Sequence, residues 1–357
     1  MPIRSSSTRP IRVGIVQIAE RLGVSPSTVS RALRPETAHL VSAESRKAIL
    51  DLAEKQNFSP NPGARMLRNG INSTLTVVVP MDENIFFSEF YGRFLAGTMH
   101  AAAAREWGVH ICTLSRKPGT SFREAMQHLS MDSSGIIYLA EPLGLTEVQE
   151  LRGFRRPFVV AKSVLPPETA VGDFGVPVVG VNNFAGAQSA ASLLLQLGHR
   201  RIGLLLGPSA SRDVHERRQG YLDALEKAGV LPRPEWIYEG PFSAETGREG
   251  FARFLGSGER PTGLCCANDE IAFGAIHEAN VAGLRCPEDI SVVGFDDGMW
   301  ATACRPALTT IRQPLADMAE RAVGLVVEAA GAPGKARRPV LHEMPAALVI
   351  RESTQPI

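Results

Sequence analysis

Beyond residue 74 the chain alternates short runs of Val, Ile and Leu with longer stretches in which apolar residues recur every three or four positions. Continuous apolar runs of four or five suit strands buried on both faces, whereas recurrence near 3.6 suits helices lying on a sheet. The pattern predicts strands at 75–79, 110–114, 135–139, 158–161, 178–181, 202–206, 263–267, 291–294 and 309–312. It predicts helices at 88–105, 122–130, 184–197, 215–228, 244–255, 269–282 and 314–330. Such alternation specifies an α/β body of parallel sheets covered by helices, and sheets of this kind take ligands at the carboxyl ends of their strands.

Before residue 60 the pattern changes. Ile18, Ala19 and Leu22 give one short helix a single apolar face, and Gly23 permits the turn that follows. Ser25 then caps a second helix that starts at Pro26, where a missing N–H costs nothing. Val29 and Leu33 face the first helix, which leaves Pro26, Ser27, Thr28, Ser30 and Arg31 at the start or on the outer side. This is a helix-turn-helix whose hydroxyls and guanidinium suit phosphates and guanine edges; the competing reading is an ordinary capped helical hairpin. A third helix, capped by Ser42 with Glu44 in its first turn, carries Ile49, Leu52 and Ala53 inward and ends near Asn57.

Charge favours nucleic acid. Residues 1–70 hold eleven Lys/Arg against five acids, a net of +6, while the rest of the chain carries −5, an asymmetry hidden in the total of +1. The division that follows is a flexible basic tail at 1–14, a helix-turn-helix domain at 15–58, a hinge at 59–73 and a body at 74–357. At 357 residues, removal of the head leaves enough chain for two lobes. Residues 1–14 lack the apolar core of a secretory signal, and no apolar run is long enough to span a membrane, so a cytoplasmic location with no membrane partner is expected. The five cysteines form no CxxC pair and are expected to be buried reduced thiols; no metal and no cofactor is expected.

Residues 15–79 resemble the DNA-binding head and hinge of the lactose-repressor (LacI/GalR) family. The resemblance rests on Gly-Val-Ser-x-x-Thr-Val-Ser-Arg at Gly23 to Arg31, on Val41-Ser42, and on Pro60, Asn61, Ala64, Arg65 and Leu67. It implies that Pro26, Ser27 and Arg31 face bases, that Ser25, Thr28 and Ser30 lie near phosphates, and that Asn61 and Leu67 belong to a hinge helix whose Leu67 wedges into the minor groove of a palindromic operator. Two departures stand out. Pro26 offers only apolar contact where relatives often place a base-reading side chain, and Pro62-Gly63 raises the cost of ordering the hinge.

The resemblance continues to about residue 351 through Phe86-Phe87-Ser88-Glu89, Leu197-Gly198-His199, Ala267-Asn268-Asp269-Glu270, Val293-Gly294-Phe295-Asp296-Asp297 and Leu308-Thr309-Thr310-Ile311. It implies a periplasmic-binding-protein type I body whose two doubly wound lobes are joined by three crossovers, one lobe at about 74–175 and 308–335 and the other at 177–306 and 338–357. It also implies double-stranded DNA as partner, a homodimer or dimer of dimers, and a small-molecule effector, most often a sugar or sugar acid. A purine or nucleoside effector is the alternative.

Strand-end polar residues give the effector site its candidates. Asn268 and Asp296 each follow an apolar run, and the resemblance places Arg217 at the arginine that reaches the effector. Phe87 and Phe242 offer apolar walls. The competing readings are that Asn268 and Asp269 cap the helix behind them, with capping the stronger reading for Asp269. Arg217 could equally pair with Glu216 or a neighbouring acid on a solvated face, and both phenylalanines could be core. Lys162 and Ser163 stand at a strand end where relatives often carry an acid, a weak hint of an anionic effector. No catalytic set is expected: the chain has no GxSxG elbow, HExxH, P-loop or dinucleotide fingerprint, and a purely architectural DNA-bending protein would not need so large a body.

Overall fold

Among the described residues a three-helix head is followed by two sheets flanked by helices, and the boundaries follow the caps and apolar runs closely. The computed structural model describes residues 14–33, 35–56, 58, 72–81, 85, 88–114, 120–129, 133–140, 143–151, 156–161, 175–209, 211–332 and 340–357. They fall into two compact units divided at Asn72 and Ser73.

In the first unit α1 (Ile15–Leu22), α2 (Pro26–Ala32) and α3 (Ala43–Lys55) bury Ile18, Ala19, Val29, Ala32, Ile49 and Ala53 against one another. Gly23 ends α1 in the left-handed conformation at φ +66°, which a side chain would resist. A 3-10 turn, Pro35–Leu40, links α2 to α3. The pattern gave no sign of it.

In the second unit the strands are β1 (Thr74–Val79), β2 (Gly108–Thr113), β3 (Gly135–Tyr138), β4 (Phe158–Ala161), β5 (Val178–Val181), β6 (Ile202–Leu206), β7 (Ile237–Glu239), β8 (Gly263–Cys266), β9 (Ser291–Asp296), β10 (Thr309–Arg312), β11 (Leu341–Met344) and β12 (Ala347–Val349). The helices are α4 (Glu89–Ala103), α5 (Phe122–Leu129), α6 (Leu145–Leu151), α7 (Asn183–Gln196), α8 (Arg212–Lys227), α9 (Ala244–Leu255), α10 (Asp269–Val281), α11 (Met299–Ala303) and α12 (Leu315–Gly331). They build two six-stranded sheets in the orders β11-β5-β4-β3-β1-β2 and β12-β10-β9-β8-β6-β7. All pairings are parallel except β10 with β12.

Each sheet is covered on both faces. Side chains of α4 and α12, among them Phe94, Leu95, Met318, Ala319 and Val323, pack with Leu75, Val77 and Val79 on one face of the first sheet. Phe122 and Met126 of α5 pack with Val78, Tyr138 and Val160 on the other. The second sheet lies between α7 with α8 and α9 with α10. Strands β1, β3, β4, β5, β6 and β8 are almost wholly buried, as continuous apolar runs require.

The lobe boundaries read from sequence need correction. β5 pairs with β4 and β11 in the first sheet rather than opening the second lobe, and β10 pairs with β9 in the second sheet rather than returning to the first. The chain therefore crosses after each strand, at 181–183, 312–315 and 344–347, not in the loops before it. Local pattern marks where a strand lies; long-range pairing alone decides which sheet receives it. Strands β7, β11 and β12 were missed: each is a short edge strand, three or four residues long and mostly half-buried, and although β12 lies in the apolar run 346–350, the pattern above predicts no strand there.

Candidate functional site

The outer face of α2 is built by its cap. Ser25 Oγ accepts from the Thr28 amide at 3.1 Å and lies 2.6 Å from Ser27 Oγ and 2.9 Å from Thr28 Oγ1, so three hydroxyls cluster at the helix start. Ser25, Pro26, Ser27 and Arg31 are exposed, Thr28 and Ser30 are half-buried, and Val29 and Ala32 are buried beneath them. Ser27 and Arg31 stand one turn apart and share a face. All six residues chosen from sequence thus lie on or beside one accessible surface. Sequence reasoning passed over Arg46, whose Nε donates to the Ala32 carbonyl at 3.5 Å and ties α3 to the end of α2. Asn61 and Leu67 of the hinge lie outside the described residues, as do Phe87, Lys162 and Ser163.

In the second unit the polar candidates gather at the carboxyl ends of β8 and β9. Arg217 and Tyr221 sit one turn apart on α8 and dock on consecutive carbonyls: Tyr221 Oη donates to Cys266 at 3.0 Å, and Arg217 Nη1 donates to Ala267. Arg217 is buried, its Nε donates to Asn183 Oδ1 at 2.8 Å, and its guanidinium carbon stands 3.7 Å from the centroid of the Phe295 ring. Its Nη1 is 4.0 Å from Asp296 Oδ1. The solvated pairing with Glu216 is not what forms; Glu216 takes Arg212 at 2.7 Å, and burial pushes its carboxyl above the usual range despite that partner.

Asn268 does cap α10, through Oδ1 accepting from the Ile271 amide at 2.8 Å. Its Nδ2 has no protein partner among the described residues. Asp269 does not cap. It is buried, with Oδ2 accepting from the Gly298 amide at 2.8 Å and Oδ1 from Thr310 Oγ1 at 2.5 Å. Burial first, and the Asp296 carboxylate second, push its pKa upward. Asp296 has φ +122° and accepts from Gln313 Nε2 at 2.5 Å. Burial would raise the Asp297 carboxyl, but hydrogen bonds from Arg351 at 2.5 Å and Arg312 at 2.6 Å outweigh it and hold the group below the carboxylate range.

Phe242 is half-buried and packs over Gly207, where an added Cβ would meet its ring at 2.5 Å, so it borders the end of β6 while also completing the core. Arg217, Asn268 and Asp296 are linked through Ala267, Phe295 and the 4.0 Å pair. Two further polar residues belong with them. Asn183, fully buried at the first crossover, donates to Asp213 Oδ1 at 2.9 Å, and Gln313 occupies the second crossover. Their signal was position: polar residues within two positions of a strand end at two of the three crossings.

No helix among the described residues is long and apolar enough to cross a membrane, and none of their His, Cys, Asp or Glu side chains form a metal-holding group.

Comparison with known proteins agrees at every scale. Residues 15–61 match the model for bacterial regulatory proteins of the lacI family, and residues 191–354 match that for a periplasmic binding protein-like domain. The HTH-type transcriptional repressor CytR of Escherichia coli (strain K12) is 31% identical over 315 residues, covering 87% of this chain and 88% of its own. The lac repressor dimer bound to operator and the anti-inducer ONPF superposes with a TM-score of 0.80 at 25% identity, over 96% of this chain and 99% of that one. A transcriptional regulator CelR–cellobiose complex gives 0.70 at 25%, over 96% and 100%. A capped helix-turn-helix followed by two parallel-sheet lobes, matched along nearly the whole length, leaves one conclusion: the chain belongs to the LacI family of DNA-binding transcriptional regulators.

Proposed function

We propose that the chain is a homodimeric repressor that reads a palindromic operator through Ser27 and Arg31 of α2 and answers to a neutral, hydroxyl-rich small molecule, a sugar, held at Arg217, Asn268 and Asp296. The observation that carries the ligand class is the charge state of that site. The guanidinium of Arg217 already serves Asn183 and Ala267 and has Asp296 at 4.0 Å; Arg212 is spent on Glu216, and Asp213 and Asp269 add acids. Among the described residues of the site no cation is left to receive a carboxylate or phosphate, Lys162 lying outside them, while a carboxylate and an amide edge suit hydroxyls that both donate and accept. Similar proteins lend support, since one was solved as a complex with cellobiose and another is a lac repressor dimer bound to operator. Two copies are needed because one recognition helix reads only a half-site.

A panel of neutral sugars, sugar acids and nucleosides tests the ligand, scored by thermal shift and by release from a palindrome selected out of a random pool. A neutral sugar should raise the melting temperature and alter operator affinity, and sugar acids should do neither. Asp296→Ala should still bind the selected palindrome but need at least about tenfold more sugar, the loss expected for a hydrogen bond to a charged acceptor. Response to sugar acids alone would overturn the charge argument, and response to nucleosides alone would move the ligand to the alternative class.

A further inference from the structure

The turn at 296–299 is gripped from both lobes. Asp296 and Asp297 adopt φ of +122° and +55°, which residues other than glycine keep only when their surroundings fix them. From its own lobe the turn is held by Asp269 on the Gly298 amide and by Arg312 and Arg351 on the Asp297 carboxylate. From the other lobe come two side chains one turn apart at the start of α4. Arg93 Nη1 donates to the Asp297 carbonyl at 2.9 Å and to that of Asp296 at 3.4 Å, and Glu89 Oε2 accepts from the Met299 amide. Gly298 leaves room for this approach, since a Cβ there would lie 2.1 Å from Glu89 Oε2.

Adjacent amides in one turn are thus secured from opposite lobes, Gly298 by the second and Met299 by the first. We infer that Glu89 and Arg93 are positioning residues which hold the backbone of Asp296 from the facing lobe, so that the orientation of its carboxylate depends on how the lobes are closed. A ligand that engages Asp296 then senses lobe closure through these two side chains. The inference rests on the reading of Asp296 as an effector contact.

Residue-resolved amide exchange on the full chain, with no small molecule added, tests it. Glu89→Ala should speed exchange at Met299 by at least about tenfold and leave Gly298 within about twofold of the parent. Glu89→Gln, which keeps a carbonyl acceptor and the side-chain shape, should fall between, and it serves if the alanine variant folds poorly. Exchange at Met299 as fast in the parent as in an unprotected peptide would overturn the inference, as would equal acceleration at both amides in the two variants, the mark of a turn that has merely loosened. Because no sugar enters the measurement, it succeeds or fails separately from the ligand panel.

Discussion

Arg31 is the only long donor on the exposed face of α2, set one turn from Ser27 above the buried Val29 and Ala32. Arg31→Ala should cost roughly 1–3 kcal/mol on the selected palindrome and much less on scrambled DNA, because a paired guanine contact is lost while phosphate contacts remain. Competition binding against the two DNAs measures it, and equal loss on both would reassign Arg31 to the phosphates. At this scale the sequence was legible wherever a residue's role is local. Ser25 and Ser42 cap the helices that their positions announced. Asn268 and Asp269 show the limit: both were open to capping, with Asp269 the stronger candidate, but Asn268 alone caps, which frees Asp269 to reach Gly298 and Thr310 across the turn. Nothing in a linear pattern distinguishes the cap from the next residue when both are Asx. Arg217 was picked out by family resemblance; its anchoring on two consecutive strand-end carbonyls, shared with Tyr221, depends on a packing that only the assembled lobe provides.

Among the elements, the helices that cross most closely impose the tightest demands. At Gly274 of α10 an added Cβ would stand 1.9 Å from the Ala244 carbonyl oxygen at the start of α9, and backbone cannot swing aside as a side chain does. Gly274→Ala should destabilise the fold by about 3 kcal/mol, toward the upper end of overpacking costs, and a denaturant melt of the isolated variant measures it. A change under about 1 kcal/mol would mean that α9 and α10 separate more freely than their contact implies. Strands and helices with strong periodicity were recovered with ends shifted by a few residues, because burial on both faces writes itself into composition. α6, α11 and the edge strands β7, β11 and β12 were not, since segments this short and half-exposed carry little periodic signal.

For the whole molecule, segregation of charge between a +6 head and a −5 body was plain from sequence, while the assignment of strands to lobes was not. The late crossovers make the first sheet depend on residues 315–344: α12 covers one of its faces with Leu315, Met318, Ala322, Val323 and Val326, and β11 completes its edge beside β5. The second sheet likewise needs β12, and Ser353 bonds β9 through the Val292 carbonyl. A chain stopped after Gln313 should therefore lose both lobes rather than one, and should bind a hydrophobic dye and melt without cooperativity in circular dichroism; a cooperative melt would contradict this. During synthesis, neither sheet should be complete until β11 and β12 have left the ribosome. A message cut short before β11 should thus yield a body open to proteolysis, instead of a protein that occupies the operator but no longer answers its effector.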